Sequence, residues 1–203
     1  MNLKNTFTEI SKKLETLYHD REEILGLSRK MVRDCSISIK HIHRKEFTIY
    51  HEKIENVKKI HKQLIECVNQ NPGLFFKYLK TPEQEFTESV VFYSIVNKEV
   101  PPTPSELNIS PINYILGLAD VVGELRRYAL DSMRNSQIED LNDILESMDE
   151  IYTQLFSLDY TSGLTQDLRH KIDVARNIIE KTRGDISLAI QMNDLKSCLP
   201  DKD

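Results

Sequence analysis

The sequence predicts an all-α protein, and three observations predict it. Apolar residues recur at steps of three, four and seven along most of the chain, the spacing of one helix face. Glycine is sparse, six in 203 residues, which argues against a Gly-punctuated β-sandwich and favours long helices. The prolines fall at candidate helix boundaries, in one loop and near the C-terminus, not in the middle of the periodic segments.

The elements follow in order. From about Leu3 to His43, Leu14, Leu17, Ile24, Leu27, Met31, Ile39 and Ile42 mark a long first helix. A second runs from about Phe47 to Asn69 and stops at Asn71-Pro72-Gly73, a strong breaker. A short helix is expected over Leu74–Leu79. Thr81-Pro82 reads as an N-cap with proline at the first helical position, opening a helix to about Val96. Residues 97–110, with Pro101, Pro102 and Pro104, form the one long loop. Ser110-Pro111 repeats the cap-plus-proline signal and opens a helix to about Met133. Two further amphipathic helices are expected over Ser136–Leu158 and Thr165–Met192, with Gly184 ending or bending the second. Residues from about 194 to 203 are expected to be a disordered tail. There is no internal repeat, and 203 residues suffice for one domain spanning 1–203 with a substantial core.

The totals narrow the class. A hydrophobic share of 39% and a charged share of 29% suit a soluble globular chain of charged helices. No apolar run approaches the roughly 20 residues that span a bilayer, so no membrane association is expected, and the N-terminus lacks the apolar segment of a secretory signal. Cys35, Cys67 and Cys198 are widely spaced, with no CxxC, and read as reduced thiols of a cytoplasmic protein, not a zinc site. The net charge of −5 is unevenly spread. Residues 1–62 hold 14 Lys/Arg against 9 Asp/Glu, and five of the six His; the remainder holds 13 against 23. A basic N-terminal third on an acidic body suits a phosphate backbone, or is simply a solvated helix face.

Two helices carry acids where an ordinary core helix does not. Glu85 and Glu88 are three apart, and Asp120 and Glu124 four apart, so each pair shares a helix face. Asp120 is embedded in an apolar run from Ile112 to Leu125, which predicts a central helix and a buried carboxylate, costly unless paired or metal-bound. Gly117, Ala119 and Gly123 would admit a close neighbouring helix. Were the two helices packed together, four carboxylates would converge on an all-oxygen site for Mg²⁺ or Mn²⁺, able to activate water against a phosphodiester. The plain alternatives are acids favoured by the helix macrodipole at Glu85 and Glu88, and salt bridges from Asp120 and Glu124 to Arg126, Arg127 or a base elsewhere.

At these residues a family resemblance is visible. Asn113-Tyr114-Ile115-Leu116-Gly117-Leu118-Ala119-Asp120-Val121-Val122-Gly123-Glu124-Leu125-Arg126-Arg127 resembles the D-Y-L-L-G-x-A-D-x-x-G-E-L-x-R type of string in the translin-associated factor X branch of the translin family. Gln84-Glu85-Phe86-Thr87-Glu88 resembles its Q-E-[YF]-x-E motif, and Leu27-Ser28-Arg29 with His43-Arg44 its L-S-R…H-R pattern. The resemblance covers about residues 20–185. It implies a compact helical bundle of roughly seven helices, assembled with itself or with a translin-like partner into a closed octameric shell that binds single-stranded RNA or DNA. It also implies a Mg²⁺-dependent endoribonuclease whose acids match Glu85, Glu88, Asp120 and Glu124. Glu88, Asp120 and Glu124 are then the metal ligands, and Glu85 holds a water or acts as general base. Arg127 is a candidate to contact the scissile phosphate or orient an acid, or else forms a salt bridge, and Arg29, Arg33, His43 and Arg44 are candidates for RNA backbone contact, or else form an exposed basic face or a subunit interface.

There are departures. Ser36-Ile37 replaces the family's Lys-Arg pair, and Ser94 replaces the second motif's downstream His. The long basic N-terminal extension is lacking, as expected of a minimal, prokaryotic form. Two other functions compete: a non-catalytic, translin-like binder of single-stranded nucleic acid, and an all-α nucleotide pyrophosphohydrolase. The spacing Asp120-x-x-x-Glu124 fits the second poorly.

Overall fold

The computed structural model describes residues 3–198, and these contain helices and no strand. The chain divides into two compact units, residues 1–86 and 87–203.

The first unit is built on α1 (Leu3–His43) and α2 (Phe47–Asn69), which pack on each other as a hairpin. The link is three residues long. Lys45 takes a left-handed φ of 58°, while Glu46 N–H donates to His41 O (2.9 Å) and Lys45 N–H to Ile42 O (2.9 Å). These two bonds satisfy the last carbonyls of α1 and turn the chain back. Ile24, Met31, Cys35 and Ile42 of α1 and Val57, Leu64 and Val68 of α2 are fully buried. Asn56 Nδ2 donates to the buried Asp34 carboxylate at 2.7 Å. α3 (Pro72–Phe75) and a 3₁₀ turn (Phe76–Leu79) lead into α4 (Lys80–Val96).

The first half of α1 departs from expectation. Leu14 belongs to the predicted core stripe, yet it is 59% exposed, and Leu3, Phe7, Ile10 and Tyr18 are exposed with it. Length is the reason. At 1.5 Å per residue, 41 residues extend roughly 60 Å and the 23 of α2 roughly 35 Å, so α1 outruns its hairpin partner.

The unit boundary falls inside α4. The second unit continues with α5 (Pro104–Leu107), α6 (Pro111–Arg134), α7 (Leu141–Phe156), α8 (Ser162–Thr165) and α9 (Leu168–Cys198). α6, α7 and α9 pack against one another, burying Leu116, Val121, Val122, Leu125, Met148, Leu155 and Ala175. Polar side chains tie the packing together. Arg126 donates to Thr182 and Asp185 (2.9 Å each), and Arg183 to both oxygens of Asp149 (2.9 Å).

Several boundaries differ from those read in the sequence. α4 begins at Lys80, so Thr81 lies within its first turn and is not its N-cap. Ser110 is the N-cap of α6 but its side chain makes no capping bond. The 97–110 loop contains a capping box, Thr103 with Glu106, and Tyr114 Oη pins the loop by donating to Pro102 O at 2.8 Å. α7 starts at Leu141 because Ser136, at φ 56°, closes α6 with Gln137 N–H donating to Ser132 O. α9 runs straight through Gly184 and on to Cys198, where a disordered tail was expected from about 194; residues 199–203 of that tail lie outside the described residues. No helix among the described residues is long and apolar enough to cross a membrane.

Candidate functional site

The acids of α4 occupy its margins. The side of the helix that faces the interior carries Phe86, Val90 and Phe92, with Thr87 and Ser89 also buried. Glu85 and Glu88, one turn apart, are half-buried. Glu83, two residues before Glu85, is almost fully enclosed, with His61 Nε2 3.2 Å from its carboxylate and the ring of Phe86 edge-on to that imidazole.

On α6, Asp120 is not buried as its apolar setting suggests; its side chain is 37% exposed. The core face of the helix is Leu116, Ala119, Val121, Val122 and Leu125, and Asp120 stands at its edge. Gly123 also departs from expectation: a Cβ there would meet nothing within 4 Å, so no helix approaches closely at that point. Asp120 is held by a residue 51 positions away. Lys171, in the first turn of α9, places its Nζ 2.6 Å from Oδ1 and 2.5 Å from Oδ2. Glu124 lies 3.7 Å from Arg127 Nη1, and Arg126 is turned away to Asp185. The salt-bridge alternative therefore describes Asp120 well, with a partner, Lys171, that no local spacing signals.

Carboxylate oxygens alone make Glu88, Asp120 and Glu124 a donor set chemically suited to a hard divalent cation. In the arrangement described, no group of three or more His, Cys, Asp or Glu side chains among the described residues is gathered to hold a metal ion. An ammonium, Lys171 Nζ, instead lies against Asp120.

Four of the predicted nucleic-acid residues lie in the first unit. Arg29 and Arg33, both exposed, line a cleft of about 430 Å³ together with Ser28, Lys77, Tyr78 and Thr81. Arg21 Nε donates to Tyr78 Oη at 2.9 Å, and Lys77 Nζ stands 5.3 Å from the centre of the Tyr78 ring. Lys77, Tyr78 and Arg21 were missed in the sequence because they come together only through folding. Their residue types, basic with one aromatic, were the available signal. His43 is half-buried in the last turn of α1, whereas Arg44 is exposed at the hairpin link. Arg127 lies in the second unit and is exposed. A second cleft, about 440 Å³, opens among α4, α6 and α7 beside Lys98, Tyr114 and Tyr128, and none of the predicted site residues lines it.

The chain is 39% identical over 181 residues to an uncharacterized protein of Methanocaldococcus jannaschii, covering 88% of this chain and 80% of that protein. It is 22% identical over 187 residues to the Translin-associated protein X of Rattus norvegicus, covering 72% of this chain and 64% of that protein. A solved structure of AfC3PO in complex with duplex RNA superposes with a TM-score of 0.85 at 29% identity, over 92% of this chain and 97% of that one. Residues 2–183 match the Translin family, and the chain belongs to that family.

Proposed function

We propose that this protein is an RNA-binding, self-associating member of the translin family whose acids serve RNA hydrolysis. The observation that carries the proposal is that Glu85, Glu88, Asp120 and Glu124 all stand half-exposed at helix margins, outside the apolar core, where a substrate or ion can reach them. The kinship with AfC3PO, known in complex with duplex RNA, supports RNA as the ligand.

In this reading Glu88, Asp120 and Glu124 would hold Mg²⁺ or Mn²⁺. When bound, the cation supplies Lewis-acid stabilisation of phosphoryl charge and a more acidic water. Glu85, one turn from Glu88, orients the attacking water and accepts its proton. Arg127, beside Glu124, offers its guanidinium to the phosphate. Arg29 and Arg33, with Lys77 in the same cleft, contact the RNA backbone. Self-association, to an octamer or another closed shell, is supported by the apolar residues Leu3, Phe7, Ile10 and Leu14 of α1. These are exposed, and their 4-3-4 spacing is that of a helix-pairing seam.

Labelled single-stranded and duplex RNA, incubated with Mg²⁺, with EDTA, and with the Glu88→Ala/Asp120→Ala variant, test the proposal. Metal-dependent cleavage that the variant abolishes is the expected result. Binding without cleavage in all three conditions would refute the enzymatic part. It would leave a translin-like binder, the reading favoured by the Lys171–Asp120 pair and the ungathered acids.

A further inference from the structure

We infer that the cleft among α4, α6 and α7 is the receptor for α1 of a second copy of this chain, taking the exposed seam of Leu3, Phe7, Ile10 and Leu14 between its acidic edges. The inference rests on the self-association reading and assigns that seam the surface it meets. Three observations carry it.

The first is the seam. Leu3, Phe7, Ile10 and Leu14 are 50%, 65%, 46% and 59% exposed. At 1.5 Å per residue they run roughly 16 Å along one side of α1. Apolar anchors one helical turn apart are what an amphipathic helix lays into a groove.

The second is the cleft. It encloses about 440 Å³, and Val91, Ile95, Leu118 and Ile144 give it an apolar lining. That is the size of a small-ligand pocket, so it admits a few anchor side chains from a helix lying across its mouth and not the helix body. Its loop wall is already set in place, because Tyr114, which lines the cleft, donates to Pro102 O at 2.8 Å.

The third is charge. Glu99, Asp140, Asp143 and Glu150 line the cleft against one base, Lys98. Lys98 Nζ is shared between Asp140 (2.9 Å) and Asp143 (2.7 Å), so the edges keep an excess of negative charge. Residues 3–14 hold Lys4, Lys12 and Lys13 against Glu9 alone. In the heptad frame of the seam, Lys4 and Lys13 take the positions that flank it. Two such seams face to face would set ammonium beside ammonium, whereas the cleft sets ammonium beside carboxylate. Complementary charge of this kind selects the partner surface and fixes its register. Donor and receptor are different surfaces, so the contact is heterologous, and repeated from copy to copy with a closing rotation it builds a ring.

The test places the photoreactive p-benzoylphenylalanine at Phe7 of the full chain. Unlabelled and ¹⁵N-labelled protein are mixed, allowed to exchange subunits and irradiated, and the joined peptides are read by mass spectrometry. The expected result is cross-links between light and heavy chains that map to residues 91–101 and 144–151. Glu99→Lys/Glu150→Lys should lower their yield roughly fivefold, and adding Lys4→Glu/Lys13→Glu should restore it. All four of these positions are exposed, so the exchanges spare the core. Cross-links from Phe7 to α1 of another copy, to residues outside the cleft, or within one chain alone would overturn the docking while self-association stands. A yield indifferent to the reversed charges would overturn it too. A monomer by light scattering at every concentration would overturn both the docking and the self-association reading.

Discussion

The buried pair between His61 and Glu83 makes a stringent test of how the first unit is held. His61 Nε2 and Glu83 Oε1 are 3.2 Å apart, and their side chains are only 5% and 3% exposed. The pair joins the middle of α2 to the first turn of α4, and Phe86 packs edge-on against the imidazole at 5.5 Å. Glu83→Ala removes one partner and leaves the His61 nitrogen, on a side chain only 5% exposed, without that carboxylate. Leaving a buried hydrogen-bonding group unsatisfied costs about 1–3 kcal/mol, most of it the desolvation of the group left behind. Glu83→Gln retains a side chain able to meet the imidazole and should cost about 1 kcal/mol. For a chain of this size the alanine variant should melt roughly 2–12 °C lower. Urea unfolding followed by helical ellipticity measures the difference, and the double variant His61→Ala/Glu83→Ala isolates the coupling between the two. If Glu83→Ala unfolds at the wild-type urea concentration, the pair does not hold α4, and the reasoning fails.

Three further outcomes are expected. Leu14→Glu, at a position 59% exposed, should change unfolding stability by less than about 0.5 kcal/mol yet lower the oligomeric state measured by light scattering; an unchanged assembly size would separate the α1 seam from self-association. Arg29→Ala and Arg33→Ala should each weaken RNA binding and reduce the slope of log K against log salt by about 1, and an unaltered slope would remove the cleft of Arg29, Arg33 and Lys77 from the RNA interface. Burial, and secondarily the nearby Glu23, Glu66 and Asp20, push the Cys67 thiol above its ordinary value. Its thiolate is thus scarcer at any given pH, and peptide mapping should show Cys67 reacting with a disulfide reagent at pH 8 more slowly than a free thiol; equal rates would contradict that environment.

The helices were readable in the sequence where local chemistry sets them. The apolar period located α1, α2 and α6, and Asn71-Pro72-Gly73 and Pro111 marked boundaries within a residue or two of those observed. Local chemistry was misread where two signals overlapped. Ser136 reads as the start of a helix, but its left-handed backbone ends α6, and α7 waits until Leu141. Thr103 and Glu106 form a capping box inside a stretch whose three prolines suggested only loop.

The candidate site divides in the same way. Which residues are acidic, and which pairs share a turn of one helix, follows from spacing alone, and so did the nomination of Glu85, Glu88, Asp120 and Glu124. Their surroundings did not follow. Lys171 meets Asp120 across 51 residues, Glu83 meets His61 across 22, and Arg21 meets Tyr78 across 57. The sequence by itself determined the all-α class, the long helices and their apolar stripes, because backbone hydrogen bonding and side-chain period are properties of a few consecutive residues. Only the tertiary structure decided that Leu14 is left uncovered, that Asp120 sits at an edge with an ammonium on it, and that Arg29 and Arg33 share a cleft with Lys77. A helical stripe says which side of a helix seeks a partner, and the lengths and packing of the other helices decide whether one arrives.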